Sequence, residues 1–162
     1  MNAATPAGSR EPRWFEDYGP GRVLEFGAAV VDGSEIVEFA RRYDPQPFHV
    51  DPEAAARSPF GGLIASGWHT GSLMMAMLVE HYLSPASSLG SPGLDELRWL
   101  APVRPGDTLS VRVTIVEARR SQSRPDRGLL RSQIEVLNQR RQVVMSMKAL
   151  NFILCRPASA PP

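Results

Sequence analysis

The run Leu63-Ile64-Ala65-Ser66-Gly67-Trp68-His69-Thr70-Gly71-Ser72-Leu73-Met74-Met75-Ala76-Met77-Leu78-Val79-Glu80-His81-Tyr82-Leu83 sets the architecture of this chain. It has the length of a helix rather than of a strand, and it follows the breaker Ser58-Pro59-Phe60-Gly61-Gly62. Trp68, Leu73, Met74, Met75, Met77, Leu78 and Val79 make its sides apolar nearly all round, so it reads as a helix buried on most sides. Its most apolar part, Ile64 to Val79, is interrupted by small and polar residues and falls short of the ~20 residues of a typical spanning helix. It belongs inside a protein, and no membrane is expected as partner.

Downstream the pattern changes to period two. Leu109, Val111, Val113 and Ile115 alternate with Ser110, Arg112 and Thr114, as in a half-buried antiparallel strand. Gly128 to Asn138 and Gln142 to Leu154 read as two further strands. Leu94 to Leu100 reads as another, stopped by the Ala101-Pro102-Val103-Arg104-Pro105-Gly106-Asp107 turn. Upstream, Val23 to Val31 alternates as a strand, and Asp32-Gly33-Ser34 breaks it. Ser34 is then expected to cap a short helix whose apolar stripe is Ile36, Val37, Phe39 and Ala40 and which ends near Tyr43. The order is strand, short helix, shaped loop, long helix and four strands: an α+β fold in which one antiparallel sheet wraps one helix. Residues 1–13 and 157–162 lack apolar periodicity and read as flexible tails, leaving 14–156 as the folded domain. No internal repeat is present.

Composition agrees with one domain. The chain has 162 residues, 43% hydrophobic and 22% charged, so collagen-like, coiled-coil and wholly disordered readings find no support. The formal net charge of +1 gives no general reason to expect nucleic acid as partner. Lys148 is the only lysine among the cations, a bias that reads mainly as codon usage. The single cysteine, Cys155, excludes an intrachain disulfide and a multi-cysteine metal site, which fits a reducing compartment. Met1 to Pro12 contains no apolar core of a signal peptide, so the expected location is the cytoplasm.

The chemistry concentrates in Asp44-Pro45-Gln46-Pro47-Phe48-His49-Val50-Asp51-Pro52, where three prolines rule out a continuous helix. Fully extended, the path from Asp44 to His49 would span as much as about 17 Å, so the two converge only if the loop bends. A carboxylate and an imidazole held by a stiff loop suit acid/base work on a substrate or water. Taken singly, Asp44 reads as a helix-terminal turn residue and His49 as a loop histidine bonded to backbone. Asp51 reads as the cap of the Glu53 to Ala56 run.

Ser66 and Gly67 fall at the start of the long helix, where backbone N–H groups lack partners and the dipole is positive. Gly67 is therefore a candidate oxyanion donor, the alternative being simple close packing. His69 is either a supporting polar residue or a satisfied buried histidine, and His81 is structural. The three histidines show no metal-ligand spacing, so no metal site is expected. Met74, Met75 and Met77 read as core, with an acyl-lining role as the alternative. Arg119, Arg120, Arg124, Arg127 and Arg131 surround a hydrophilic hairpin tip, which is either a solvated turn or a place for the phosphates of a nucleotide handle, with Arg104 a similar candidate.

Asp44-Pro-Gln-Pro-Phe-His49-Val-Asp51, then Gly62-Leu-Ile-Ala-Ser-Gly67-Trp-His-Thr, then Pro102-Val-Arg-Pro-Gly-Asp107 together resemble the MaoC-like dehydratases, which include the (R)-specific enoyl-CoA hydratases. The likeness covers most of the folded region in the right order. It implies a hot-dog fold, a curved antiparallel sheet around a long central helix, paired as a homodimer. It implies reversible hydration of a trans-2-enoyl thioester to an (R)-3-hydroxyacyl thioester, with coenzyme A or acyl carrier protein as the handle and no separate cofactor. Asp44 and His49 match the family's catalytic pair, and Gly67 matches the glycine whose N–H holds the thioester carbonyl. Gln46 stands where the family often has Asn, and Met75 where it has a Ser; the thioether cannot replace a hydroxyl and is expected to fill or lengthen the acyl pocket. Two other readings share the fold: a noncatalytic acyl-thioester binding module and an acyl-CoA thioesterase.

Overall fold

Strand alternation carries through the second half of the chain in the computed structural model, which describes residues 11–158. Strands β3 (Thr108–Arg120), β4 (Arg127–Leu137) and β5 (Val143–Leu154) pair antiparallel in sequence order, with β1 (Val23–Val30) beside β3 and β2 (Gly93–Trp99) on the far edge beside β5. Val113 faces Ile134 and Ile134 faces Met147 across the ladder, which puts one row of apolar side chains on the concave side. Leu109, Val111 and Val113 are fully buried there. Each such side chain removed from water is worth roughly 1.5–3 kcal/mol, so this face decides the register.

Before the sheet come helices α1 (Gly33–Tyr43), α2 (Pro47–Val50), α3 (Pro52–Arg57) and α4 (Gly67–His81). Helix α4 lies in the concave side and buries Met74, Met77 and Leu78 against the strands. Gly27, at a bulge in β1 with φ +83°, lets Met77 lie directly on the backbone, in the space a side chain would occupy.

Several boundaries differ from the sequence reading, each for a local reason. Helix α1 is capped by Asp32, whose Oδ1 accepts from Ser34 N–H (2.7 Å) and Glu35 N–H (3.1 Å). The cap must sit on the extended residue before the helix, and Ser34 already lies within it. The long helix starts at Gly67, because Leu63 to Ser66 is drawn out by bonds from Ile64 N–H to Phe48 O and from Ala65 N–H to Val103 O. The proline loop breaks the helix as expected, yet Pro47 opens a single helical turn containing His49. Asp51 caps α3 through Glu53 and Ala54 N–H.

Burial of α4 is incomplete within one chain. The sheet and α1 cover part of it, and Trp68 (59% exposed), Met75 (43%) and Val79 (54%) form a bare stripe. Leu94, Trp99 and Leu100 on and beside the edge strand β2 are also exposed. Residues 1–10 and 159–162 of the two expected tails lie outside the described residues. Arg13 belongs with the fold: its guanidinium donates to His81 O (3.0 Å) and its carbonyl accepts from Ser87 Oγ. No helix among the described residues is long and apolar enough to cross a membrane.

Candidate active site

Asp44 is the residue at which α1 stops, its N–H bonded to Ala40 O at 2.8 Å. Pro45 forbids continuation, and the turn at Pro47 swings His49 back toward it, with His49 N–H on Gln46 O at 2.9 Å. The bend that convergence required is therefore present: His49 Nε2 lies 3.4 Å from Asp44 Oδ2. His49 is buried, and its Nδ1 is 2.7 Å from Ile64 O. A carbonyl only accepts, so Nδ1 carries a hydrogen, and Nε2 is the nitrogen turned to the carboxylate.

Both oxygens of Asp44 have donors. Gln46 Nε2 donates to Oδ1 at 2.8 Å and Ser66 Oγ donates to Oδ2 at 2.7 Å. Burial pushes the Asp44 carboxyl upward, but the Ser66 hydroxyl, the Gln46 amide and His49 outweigh it and hold it below the ordinary carboxylate range. The group is thus kept ionised.

Ser66 caps α4 by accepting from Trp68 N–H (3.3 Å), and Gly67 is the first helical residue. Among the described residues no acceptor bonds the Gly67 N–H, which is one of the free donors of the helix start. The close-packing reading of this glycine holds, since Trp99 lies so tightly on it that no side chain would fit. Asp44, His49 and Gly67 line a single cavity of about 470 Å³. Its walls are Phe48, Phe60, Trp99, Leu100, Val103 and Val144. Such a space suits an apolar acyl group brought to an acid/base pair, with an N–H donor where a carbonyl would gather charge.

Other candidates fall elsewhere. His69 turns toward α1, stacked on Phe39 at 4.9 Å between centroids, and lines no part of the cavity. It is buried but not satisfied, because Nδ1 has no partner among the described residues, and burial holds it toward the neutral form. Met75 faces outward, so it neither fills nor lengthens the cavity of this chain. Arg104 stands behind the wall and donates through Nη2 to Phe60 O at 2.6 Å, fixing the loop that carries Phe60.

The arginine-rich hairpin tip lies at the opposite end of the sheet. Arg127 pairs with Leu154, ten residues along β5 from Val144 of the cavity, or about 33 Å. Four of its five arginines are matched internally, Arg120 to Glu16, Arg127 to Asp126, and Arg119 and Arg131 to Glu117. Among the described residues no cluster of His, Cys, Asp and Glu could hold a metal ion. Trp99, Leu100, Val144 and Thr70 were not singled out by the sequence reading, and three of them come from strands or strand ends far from the motif. The one signal was a pair of large apolar residues, Trp99-Leu100, at the lip of the Ala101-Pro102 turn.

Fold and site together define an α+β hot-dog domain with a carboxylate and an imidazole facing the start of its central helix. A model of the MaoC like domain matches residues 18–133, and the chain belongs to the MaoC-like dehydratase family. The MaoC-like dehydratase structure from Rhodospirillum rubrum is 40% identical and superposes with a TM-score of 0.83 over 90% of this chain and 99% of that one. The 3-hydroxybutyryl-CoA dehydratase of Methylorubrum extorquens is 35% identical over 105 residues, which span 64% of each chain. A Mycobacterium tuberculosis protein with a double hot-dog fold, 16% identical, covers 93% of this chain with 47% of its own at a TM-score of 0.73 and bears on the fold alone.

Proposed function

We propose that this protein catalyses the reversible hydration of trans-2-enoyl thioesters to (R)-3-hydroxyacyl thioesters, on coenzyme A or acyl carrier protein, without a separate cofactor. The observation that carries the reading is the meeting of Asp44, His49 and the Gly67 N–H in one largely apolar cavity. The working state pairs ionised Asp44 with protonated His49, whose two N–H groups then face Ile64 O and Asp44 Oδ2.

Ionised Asp44 takes a proton from a water molecule as its oxygen adds to Cβ. His49 Nε2 delivers its proton to Cα on the same face. Negative charge gathers on the thioester oxygen, where the Gly67 N–H and the helix start stabilise it. Afterwards the proton on Asp44 passes to His49 across their 3.4 Å contact, and the site is reset with one water added.

The bare stripe of α4 and the exposed residues of β2 support a homodimer, with a second copy covering both. The experiment is loss of enoyl-thioester absorbance over a panel of short, medium and branched trans-2-enoyl-CoA substrates, with thiol release followed in parallel. Hydration without thiol release is expected. Thiol release without hydration would reassign the site to thioester hydrolysis, and tight acyl-CoA binding with neither reaction would make the protein a binding module.

A further inference from the structure

Ser66 is fully buried, and its one hydroxyl joins two parts of the site. Oγ accepts from Trp68 N–H at the start of α4, and an N–H cannot accept in return. Its hydrogen is therefore committed to Asp44 Oδ2 at 2.7 Å, across 22 residues of chain. The adjoining residue is Gly67, so the base and the carbonyl donor are registered against each other through this hydroxyl.

We propose that Ser66 is a positioning residue that fixes the Asp44 carboxylate relative to the Gly67 N–H, beyond its service as a helix cap. The inference rests on the reading of Asp44 as the base. Oδ2 takes both the Ser66 hydrogen bond and the His49 contact, while Gln46 holds Oδ1 from the solvent side. His49 is the one titratable group among the described residues that acts on Asp44. Loss of the Ser66 hydroxyl leaves the carboxylate held only by Gln46 and the longer His49 contact, and less favoured in its ionised form.

Three variants separate positioning from capping. Ser66→Ala removes the hydroxyl and the cap. Ser66→Gly removes the hydroxyl but keeps a residue well suited to start a helix. Ser66→Thr keeps both. The expected result is a fall of about tenfold in kcat/KM for Ala and Gly alike at neutral pH, with the acid limb moved to higher pH in both, and Thr within about threefold of the parent. Loss confined to Ala, or an acid limb that stays in place in Gly, overturns the proposal.

Carbon-13 carboxyl NMR of Asp44 in the substrate-free protein gives a readout that needs no turnover. The Asp44 carboxyl is expected to titrate at higher pH in Ser66→Gly than in the parent, and coincident titrations overturn the proposal. A parent protein that hydrates nothing defeats the hydratase reading, while this titration still decides what Ser66 does to Asp44.

Discussion

The indole of Trp99 occupies the place a side chain at position 67 would need, since a β-carbon added to Gly67 would come within 2.3 Å of Trp99 Cε2. The edge of the sheet thus presses on the residue that offers its N–H to the cavity. Gly67→Ala is expected to lower stability by about 1–3 kcal/mol, the usual scale of overpacking, and to cost activity as well. In a Trp99→Ala background the same substitution should cost little in a urea melt. If the two substitutions simply add, the contact does not restrict position 67.

Asp44→Asn and His49→Ala should each reduce hydration by about two to four decades, the range usual for positioned acid/base groups, with folding intact by circular dichroism. Asp44→Asn is nearly isosteric but accepts from only one of Ser66 and Gln46, since its NH2 donates, so it removes the charge together with one of these hydrogen bonds. Turnover unchanged in both variants would sink the hydratase assignment.

For the proposed hydration, the acid side of the pH–rate profile is expected to report Asp44. Its carboxyl sits below the ordinary range in the fold because the Ser66 hydroxyl, the Gln46 amide and His49 outweigh the upward push of burial. The stability this supplies is complete above the unfolded carboxyl value and is lost as pH falls through the lower folded value. Gln46→Leu removes one donor, so the acid limb of kcat/KM and the onset of acid unfolding should both move to higher pH. A limb that stays in place would show that Gln46 leaves the carboxylate unaffected.

Trp68, Met75 and Val79 leave α4 bare along one stripe, beside the exposed strand β2. Sedimentation should therefore give twice the chain mass of 17.8 kDa. Met75→Glu with Val79→Glu should shift the protein to the monomer and remove most hydratase activity. A parent protein that is monomeric and fully active would contradict the homodimer.

The period-two pattern of Leu109 to Ile115 and the apolar run after Gly62 made the sheet and its helix readable, because burial on one face leaves a trace in every second or every third and fourth residue. Asp44, His49 and Gly67 could be picked out because prolines and a helix start restrict what such residues can do. Their meeting could not be read from spacing alone, since it depends on one helical turn at Pro47 and on the bond between Ala65 and Val103. The even apolar character of α4 does not tell how much of it one chain covers, as a helix packed on one sheet and a helix buried all round have the same composition. The choice depends on what covers Met75 and Val79, which no local pattern encodes.

The cavity draws much of its wall from stretches of chain far from its acid/base pair. Asp44, His49 and Gly67 share one segment with the wall residues Phe48 and Phe60, while Trp99, Leu100, Val103 and Val144 close the space from β2, the following turn and β5. The two stretches meet through backbone bonds such as Ala65 N–H to Val103 O, which do not depend on side-chain identity. On the proposed reading, exchange of these distant wall residues is expected to change acyl preference while the segment from Asp44 to Gly67 stays as it is.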